Sequence, residues 1–297
     1  MDICVLNPYF YPYFGGTEKV LFEVYRRLAK NNKITVVTSE VGSKPGKETI
    51  EGIDIIRLKT KQYALPYLPL PLAEMKGLNE AIEKTEADIC HINNRFQYFR
   101  STIKSIKLYR KKLVLTIHNS LPKGIDPITD FGGLVYDVFW GRSIMASADL
   151  ITAVSKSALE TTVPKRMHSK ARVIFNGIDY RLFEPKPNNE KSEMIRRTLE
   201  FEDGIMLISN GRLIGQKGHE YAIRAIRELE KEGILANLLI IGRGPMEKKL
   251  KQLAAKLGIG NRVKIINGIA ENELPYYYNA ADIFVFPSLY EPAGMAM

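Results

Sequence analysis

A Gly-rich turn and a carboxylate-bearing ending hold most of the chemical capacity of this sequence. The turn, Asn210-Gly211-Arg212-Leu213-Ile214-Gly215-Gln216-Lys217-Gly218, follows one apolar run and opens an amphipathic one. Backbone N–H groups in such a turn, with a helix N-terminus behind them, favour an anion. Arg212 and Lys217 add a planar fork and a point charge suited to a diphosphate. The bland alternative is a surface turn with solvated basic residues. It is not a Walker A loop, because the Lys is followed by Gly and not by Ser or Thr. The ending, Pro287-Ser288-Leu289-Tyr290-Glu291-Pro292-Ala293-Gly294-Met295-Ala296-Met297, leaves another apolar run, presents Glu291 and reaches a glycine. A carboxylate can accept hydrogen bonds from vicinal hydroxyls, which suits a polyhydroxylated ligand. Sugar and phosphate recognition together imply a sugar nucleotide.

Other positions add to this or stay neutral. Gly15-Gly16-Thr17-Glu18 lies between the first apolar run and the first amphipathic one. It reads either as a second set of backbone donors at a helix N-terminus or as a flexible connection capped by Thr17. His118 ends the run at 113–117, at the carboxyl edge where open α/β sheets bind ligands. It suits a hydrogen bond to a donor hydroxyl, or is a loop imidazole satisfied by backbone. Gly242-Arg243-Gly244-Pro245 lacks the third glycine of the dinucleotide fingerprint and reads as a tight turn. No D-x-D pair occurs, and the histidines and cysteines lack metal-ligand spacing, so neither a metal nor another cofactor is expected. Residues 95–112 interleave Phe96, Tyr98, Phe99, Ile103 and Ile106 with Arg100, Lys104, Lys107, Arg110, Lys111 and Lys112. That is a basic amphipathic helix, either a solvated face or a contact for anionic membrane. The apolar, Pro-rich stretch 63–72 could be a lipid-side loop.

The elements that must position these groups alternate along the whole chain. Strands are expected at 3–6, 34–37, 53–58, 89–92, 113–117, 150–154 and 173–175, then at 205–209, 237–241, 263–266 and 283–286. Amphipathic helices include 18–30, 155–163, 219–232 and 246–257; in the last, Leu250, Leu253, Ala254 and Leu257 form a core stripe. The pattern is that of parallel βα units, so the fold class is α/β with two doubly wound, Rossmann-like domains facing across a cleft. A polar, proline-bearing stretch at 184–191 is the expected linker, giving domains at 1–184 and 192–297. Ala-Asp pairs at 87–88, 148–149 and 281–282 each end a helix and start a strand, a shared turn and not a solenoid repeat.

Composition sets outer limits. At 297 residues and 45% hydrophobic content the chain can build a core in each of two domains, and a formal charge of +10 favours anionic partners. Cys4 and Cys90 lie in buried-strand runs and read as free thiols of a reduced cytoplasm. Met1-Asp2 leads straight into a strand, with no signal peptide, and no apolar stretch approaches the roughly 20 residues that span a bilayer.

Taken together, Gly15-Gly16, Gly211-Arg212-Leu213 with Lys217-Gly218, and Glu291-Pro292-Ala293-Gly294 resemble the family 4 group of retaining glycosyltransferases with the GT-B fold. That family pairs a Gly-Gly loop, a G-R-L…K-G turn and an E-x7-E motif. Val173-Ile174-Phe175-Asn176-Gly177-Ile178-Asp179 and residues 274–286 support the resemblance, which covers nearly the whole chain. It implies a hexose donor linked to UDP, GDP or ADP, an alcohol acceptor that is lipid-linked or a growing polysaccharide, no metal, and no nucleic-acid partner. By the same resemblance Arg212 and Lys217 hold the donor diphosphate, His118 meets the donor sugar and Glu291 binds its hydroxyls. Gly15, Gly16, Gly211, Gly268, Ala293, Gly294 and Met295 would surround the donor. Positive charge placed where leaving-group charge develops is then the catalytic principle.

The chain departs from the family at its end. The second glutamate of E-x7-E would fall beyond Met297, as would the last helices, so the second domain is expected to be incomplete and the chain inactive by itself. Other functions compatible with the residues are a GT-B hydrolase or epimerase of nucleotide sugars, and a non-catalytic sugar-nucleotide-binding or membrane-docking module. The expected location is cytoplasmic, peripheral on the inner membrane face.

Overall fold

The computed structural model describes residues 1–13, 15–63, 72–93, 100–118, 127–185 and 189–289. The chain divides into two compact α/β units, Met1–Gly177 and Ile178–Met297. The first holds strands β1 (Asp2–Leu6), β2 (Lys33–Ser39), β3 (Gly46–Ile50), β4 (Ile53–Leu58), β5 (Thr60–Tyr63), β6 (Leu72–Met75), β7 (Ile89–Ile92), β8 (Lys112–Ile117), β9 (Leu150–Ala153) and β10 (Ala171–Val173). Its helices are α1 (Gly16–Leu28), α2 (Leu78–Glu83), α3 (Arg100–Leu108), α4 (Pro127–Tyr136), α5 (Arg142–Ser147) and α6 (Lys156–Thr162), with a π-helical turn, Asp137–Gly141, joining α4 to α5. The main sheet runs β10-β9-β8-β7-β1-β2-β4-β3.

Among the described residues only β3 breaks the parallel pattern of this sheet, pairing antiparallel with β4 as a strand the sequence did not reveal. Ile50 opposes Ile53, leaving Glu51 and Gly52 as a two-residue turn, both with φ near the left-handed region (51° and 79°). That is the turn that matches strand twist in a hairpin. Residues of β3 are mostly exposed, so no buried apolar run advertised it. A separate antiparallel pair, β5 with β6, includes both ends of the stretch read as a lipid-side loop; residues 64–71 lie outside the described residues. At the other edge β10 ends at Val173, and Ile174 and Phe175, expected to continue it, are exposed.

The second unit carries β11 (Ile205–Asn210), β12 (Ala236–Ile241), β13 (Val263–Ile266) and β14 (Ile283–Phe284) with α7 (Glu190–Thr198), α8 (His219–Lys231), α9 (Glu247–Lys256) and α10 (Leu274–Ala280). Its sheet is fully parallel, in the order β13-β12-β11-β14. Every residue of β12 is buried because both sheet faces are covered. Leu238 and Ile240 pack with Ala222, Ile223 and Ile226 of α8 and Leu250 and Ala254 of α9. Leu239 and Ile241 point the other way, against Leu199, Phe201 and Ala280. A near-continuous apolar run is what such a doubly covered strand requires. Between residues 178 and 189, Phe183 rests on Tyr278 with ring centroids 6.0 Å apart, which ties this stretch to the second unit and accounts for a division after Gly177. Asn189 then caps α7, its side chain accepting from Lys191 N at 3.1 Å.

The Ala-Asp turns share one device that sets strand register. In each, the Asp backbone N–H donates to the first or second residue of the neighbouring strand: Asp88 to Asp2 O at 2.9 Å, Asp149 to Leu113 O at 2.8 Å and Asp282 to Met206 O at 2.8 Å. The carboxylate then takes the N–H of that same residue, at 3.2, 2.8 and 2.8 Å respectively. Each aspartate thus closes a two-point clamp at the amino end of its strand. Asp149 also accepts from Lys107 at 2.7 Å. Partial burial opposes its ionisation, yet Lys107 and the Leu113 N–H hold its carboxyl below the usual range.

Replacing a clamp carboxylate leaves a strand-opening N–H without its partner. Asp149→Ala and Asp282→Ala are each expected to cost about 1–2 kcal/mol, additively because they lie in different units, while the Asn variants cost less. Urea titration reads this as a lower midpoint with unchanged slope.

Candidate functional site

Strand order places the loops that can hold a ligand. In the first sheet β2 and β4 leave β1 on one side and β7, β8 and β9 on the other, so the order reverses between β1 and β7. In the second the reversal falls between β11 and β14. Crevices at the carboxyl ends of such strands are where open α/β sheets bind ligands.

At the second switch point the turn after β11 is built as a rigid shelf. Gly211 N bonds Ile241 O at 3.0 Å, Leu213 N bonds Arg243 O at 3.0 Å and Met246 N bonds Leu213 O at 3.0 Å. Leu213 is fully buried in the core, nailing the turn down between its two cations. The Gly242-Arg243-Gly244 turn, bland in sequence, packs directly beneath. A Cβ on Gly242 would strike Gly211 O, and one on Gly244 would strike the Leu213 backbone. Arg212 is exposed. Lys217 is half-buried, its stem over Gly211 and its ammonium 5.5 Å from the centre of the Phe286 ring, a cation–π contact. Gly218 adopts φ 62° and opens α8. A side chain there would strike the carbonyl of Pro287, and Leu289 N donates to Gln216 O at 2.9 Å, so the exit of β14 lies against the cationic turn. Glu291, Ala293, Gly294 and Met295 lie outside the described residues. Gly268, beyond β13, is exposed with φ 76°, a left-handed position that favours glycine, and open space surrounds it.

One supporting residue of this shelf escaped the sequence reading. His219, the first residue of α8, is buried with Nδ1 3.3 Å from Ser209 Oγ. Burial pushes its pKa down, while the carbonyls of Arg212 and Gly211 work against that. The ring therefore braces the turn from below, and the cue was a histidine directly after Lys217-Gly218 at a helix start.

At the first switch point the N-cap of α1 is Gly15, with no side-chain cap bond, so Thr17 does not cap the helix. The buried Glu18 carboxylate folds back over Gly15, and a Cβ there would strike it. An acidic group thus already stands at this helix N-terminus, where it is stabilised. Gly16 is open on its Cβ side. The loop before it is anchored by Arg57, whose buried guanidinium donates to Tyr11 O and pairs with Glu48. His118 directly follows β8, with Nε2 3.5 Å from Oδ1 of the buried Asn93, which follows β7. Next to them His91 contacts the Tyr25 hydroxyl through Nδ1 and Thr116 Oγ1 through Nε2, the latter at 2.6 Å. Burial pushes His118 down to about 4, so its imidazole is neutral near pH 7 and acts as a hydrogen-bonding group. Burial, aided by His118, takes His91 down to about 3.

The basic helix is shorter and less basic than its sequence suggested. Phe96, Tyr98 and Phe99 lie outside the described residues, and the side chain of Arg100 with them. Ile103 and Ile106 are buried and Lys104 and Lys107 exposed, as an amphipathic helix requires. Lys111 is buried instead of solvated; its ammonium donates to the carbonyls of Thr85 at 2.5 Å and Ala87 at 3.2 Å. Among the described residues no cluster of three or more His, Cys, Asp or Glu is placed to hold a metal, and no helix is long and apolar enough to cross a membrane.

Comparison with known proteins extends this geometry. Residues 14–182, more than half of the chain, match the family profile described as Glycosyltransferase Family 4, and residues 190–297 match Glycosyl transferases group 1. An uncharacterized glycosyltransferase of Methanocaldococcus jannaschii is 30% identical over 264 residues, 84% of this chain and 65% of that protein. The GDP-mannose-dependent alpha-(1-6)-phosphatidylinositol monomannoside mannosyltransferase of Mycolicibacterium smegmatis is 30% identical over 155 residues, 52% of this chain and 40% of that protein. The chain therefore spans less than two thirds of the length of either relative. Anabaena HepE, solved in complex with UDP and glucose, matches with a TM-score of 0.74 at 18% identity, over 100% of this chain and 77% of its own.

The depressed imidazoles set a pH dependence of stability. A free histidine titrates near 6.5. Below that value the unfolded chain gains protons that folded His118 refuses until about pH 4 and His91 until about pH 3. Stability is expected to be flat from pH 8 to 7 and then to fall, approaching about 1.4 kcal/mol per pH unit for each imidazole. Denaturation midpoints for His91→Gln and His118→Gln across pH 4–8 should show a shallower acid slope than the parent.

Proposed function

Because the chain belongs to glycosyltransferase family 4 and has the GT-B fold, we propose that it moves a hexose from a nucleotide sugar to an alcohol acceptor with retention at the anomeric carbon. The observation that carries this reading is the cationic shelf of residues 210–218, braced by Leu213 and His219 against the exit of β14. The bond between the anomeric carbon and the diphosphate oxygen breaks, and one to the acceptor oxygen forms. The hydroxyl proton is lost to the departing phosphate or to water. Arg212 and Lys217 would neutralise the diphosphate as its charge grows, the point at which fixed positive charge lowers a barrier most.

In the same reading Gly15, Gly16, Gly211 and Gly268 let backbone approach the donor, and neutral His118 hydrogen-bonds the sugar. Glu291 would hold the sugar hydroxyls, with Ala293, Gly294 and Met295 beside it. No metal takes part, because the sequence has no D-x-D pair to bridge a cation and a diphosphate and the two cations fill that role. The uridine and guanosine nucleotides named for HepE and the mycobacterial relative make UDP- and GDP-sugars the first donors to test. That relative's phosphatidylinositol-based acceptor favours a lipid-linked alcohol and peripheral attachment to the inner membrane face, with Lys104 and Lys107 of α3 toward the headgroups.

Four outcomes test this. A thermal-shift panel of UDP-, GDP- and ADP-sugars should raise the melting temperature with one base only, since a ligand of the folded state stabilises by mass action. In a chain that carries the whole E-x7-E motif, Arg212→Ala and Lys217→Ala should each lower transfer on the order of a hundredfold with the fold intact; near-parental turnover in both would remove the shelf from the mechanism. EDTA should leave transfer unchanged, and a loss restored by magnesium or manganese would reveal a cation site. Sedimentation with phosphatidylserine vesicles should weaken steeply as salt rises; binding indifferent to salt would leave α3 a solvated helix.

A further inference from the structure

A line of polar side chains runs from the first switch point into the sheet. Asn93 is 1% exposed, with Oδ1 turned to His118 Nε2. Its amide nitrogen is buried with no hydrogen-bond partner among the described residues. Tyr25, fully enclosed on α1, contacts His91 Nδ1. His91 Nε2 is 2.6 Å from Thr116 Oγ1, which is 2.6 Å from Thr152 Oγ1.

A neutral imidazole has one donor and one acceptor nitrogen, and an amide oxygen can only accept. It is the carbonyl oxygen of Asn93 that is turned to His118 Nε2. That oxygen can accept and cannot donate.

We propose that Asn93 is the positioning residue of His118: it takes the Nε2–H proton and leaves Nδ1 as an acceptor for a hydroxyl of the donor sugar. This rests on the reading of His118 as the donor-sugar contact. Asn93 itself is buried, so the tautomer of a histidine at the sheet edge is set from within the fold. Outer partners of this kind commonly fix both ring orientation and tautomer. The depressed titration of His118 agrees, because a neutral ring is the form that has a tautomer to choose.

The tautomer can be read without substrate by long-range proton–nitrogen NMR of the nitrogen-15-labelled chain at pH 7. His118 is expected as Nε2–H. Asn93→Ala should give mixed tautomers and lower kcat by about ten- to a hundredfold, with donor KM moved far less. Asn93→Asp should restore the single tautomer and raise the His118 titration midpoint, since a carboxylate beside an imidazole favours its charged form; His91 is the other titrating neighbour. Asn93→Ser replaces it if the buried acid unfolds the chain. An Nδ1–H tautomer in the parent, or an Asn93→Ala chain whose tautomer and titration are unmoved, would overturn the proposal. Absence of transfer in every form, measured in a chain that carries the whole E-x7-E motif, would count against the transferase reading, while the tautomer still decides the role of Asn93.

Discussion

Strand register is the constraint on which everything else in this protein rests, and the aspartate clamps impose it. A one-residue slip in a parallel sheet turns every side chain to the opposite face. Asp88, Asp149 and Asp282 each grip both backbone groups of one residue near the amino end of the neighbouring strand, which fixes the register of β7 on β1, β9 on β8 and β14 on β11. In the first sheet that register brings Ile92 level with Leu6 and Ala153 level with Ile117, and Asn93 and His118 stand just beyond those ends. A carboxylate at the amino edge of a sheet thus determines which side chains meet at its carboxyl edge.

The two switch points solve opposite electrostatic problems with similar backbone. In the second unit an exposed Arg212 and a half-buried Lys217 stand on a turn pinned by backbone hydrogen bonds and by buried Leu213. In the first, the helix N-terminus is occupied by the chain's own Glu18, and the nearby imidazoles are neutral. The first switch point is therefore equipped for hydrogen bonding and the second for charge.

Sequence periodicity exposed most of the α/β framework because doubly buried strands such as β12 must be apolar throughout, and helices such as α9 must be apolar along one stripe. The same logic hid β3, whose side chains face solvent and whose pairing depends on two positive φ angles. At the site, Arg212 and Lys217 were legible because their types and spacing carry the chemistry. Asn93 and Tyr25 were not, since each matters through a partner distant in sequence, His118 and His91 respectively; His219 was passed over although it directly follows Lys217-Gly218. Lys111 misled because charge on a predicted helix face implies solvent, whereas its ammonium caps the carbonyls of Thr85 and Ala87. The Gly242-Arg243-Gly244 turn was read as neutral because its reason is the backbone of another loop.

The absence of a side chain at Gly218 has a consequence for engineering. With the Pro287 carbonyl pressed against that glycine and Leu289 tied to Gln216, the turn after β11 and the segment leaving β14 have no independent freedom to shift. Grafting either piece alone from a relative would carry over half of an interlocked pair. Exchange of ligand preference by chimera should therefore treat residues 210–218 and the exit of β14 as one cassette, although some seventy residues of sequence separate them.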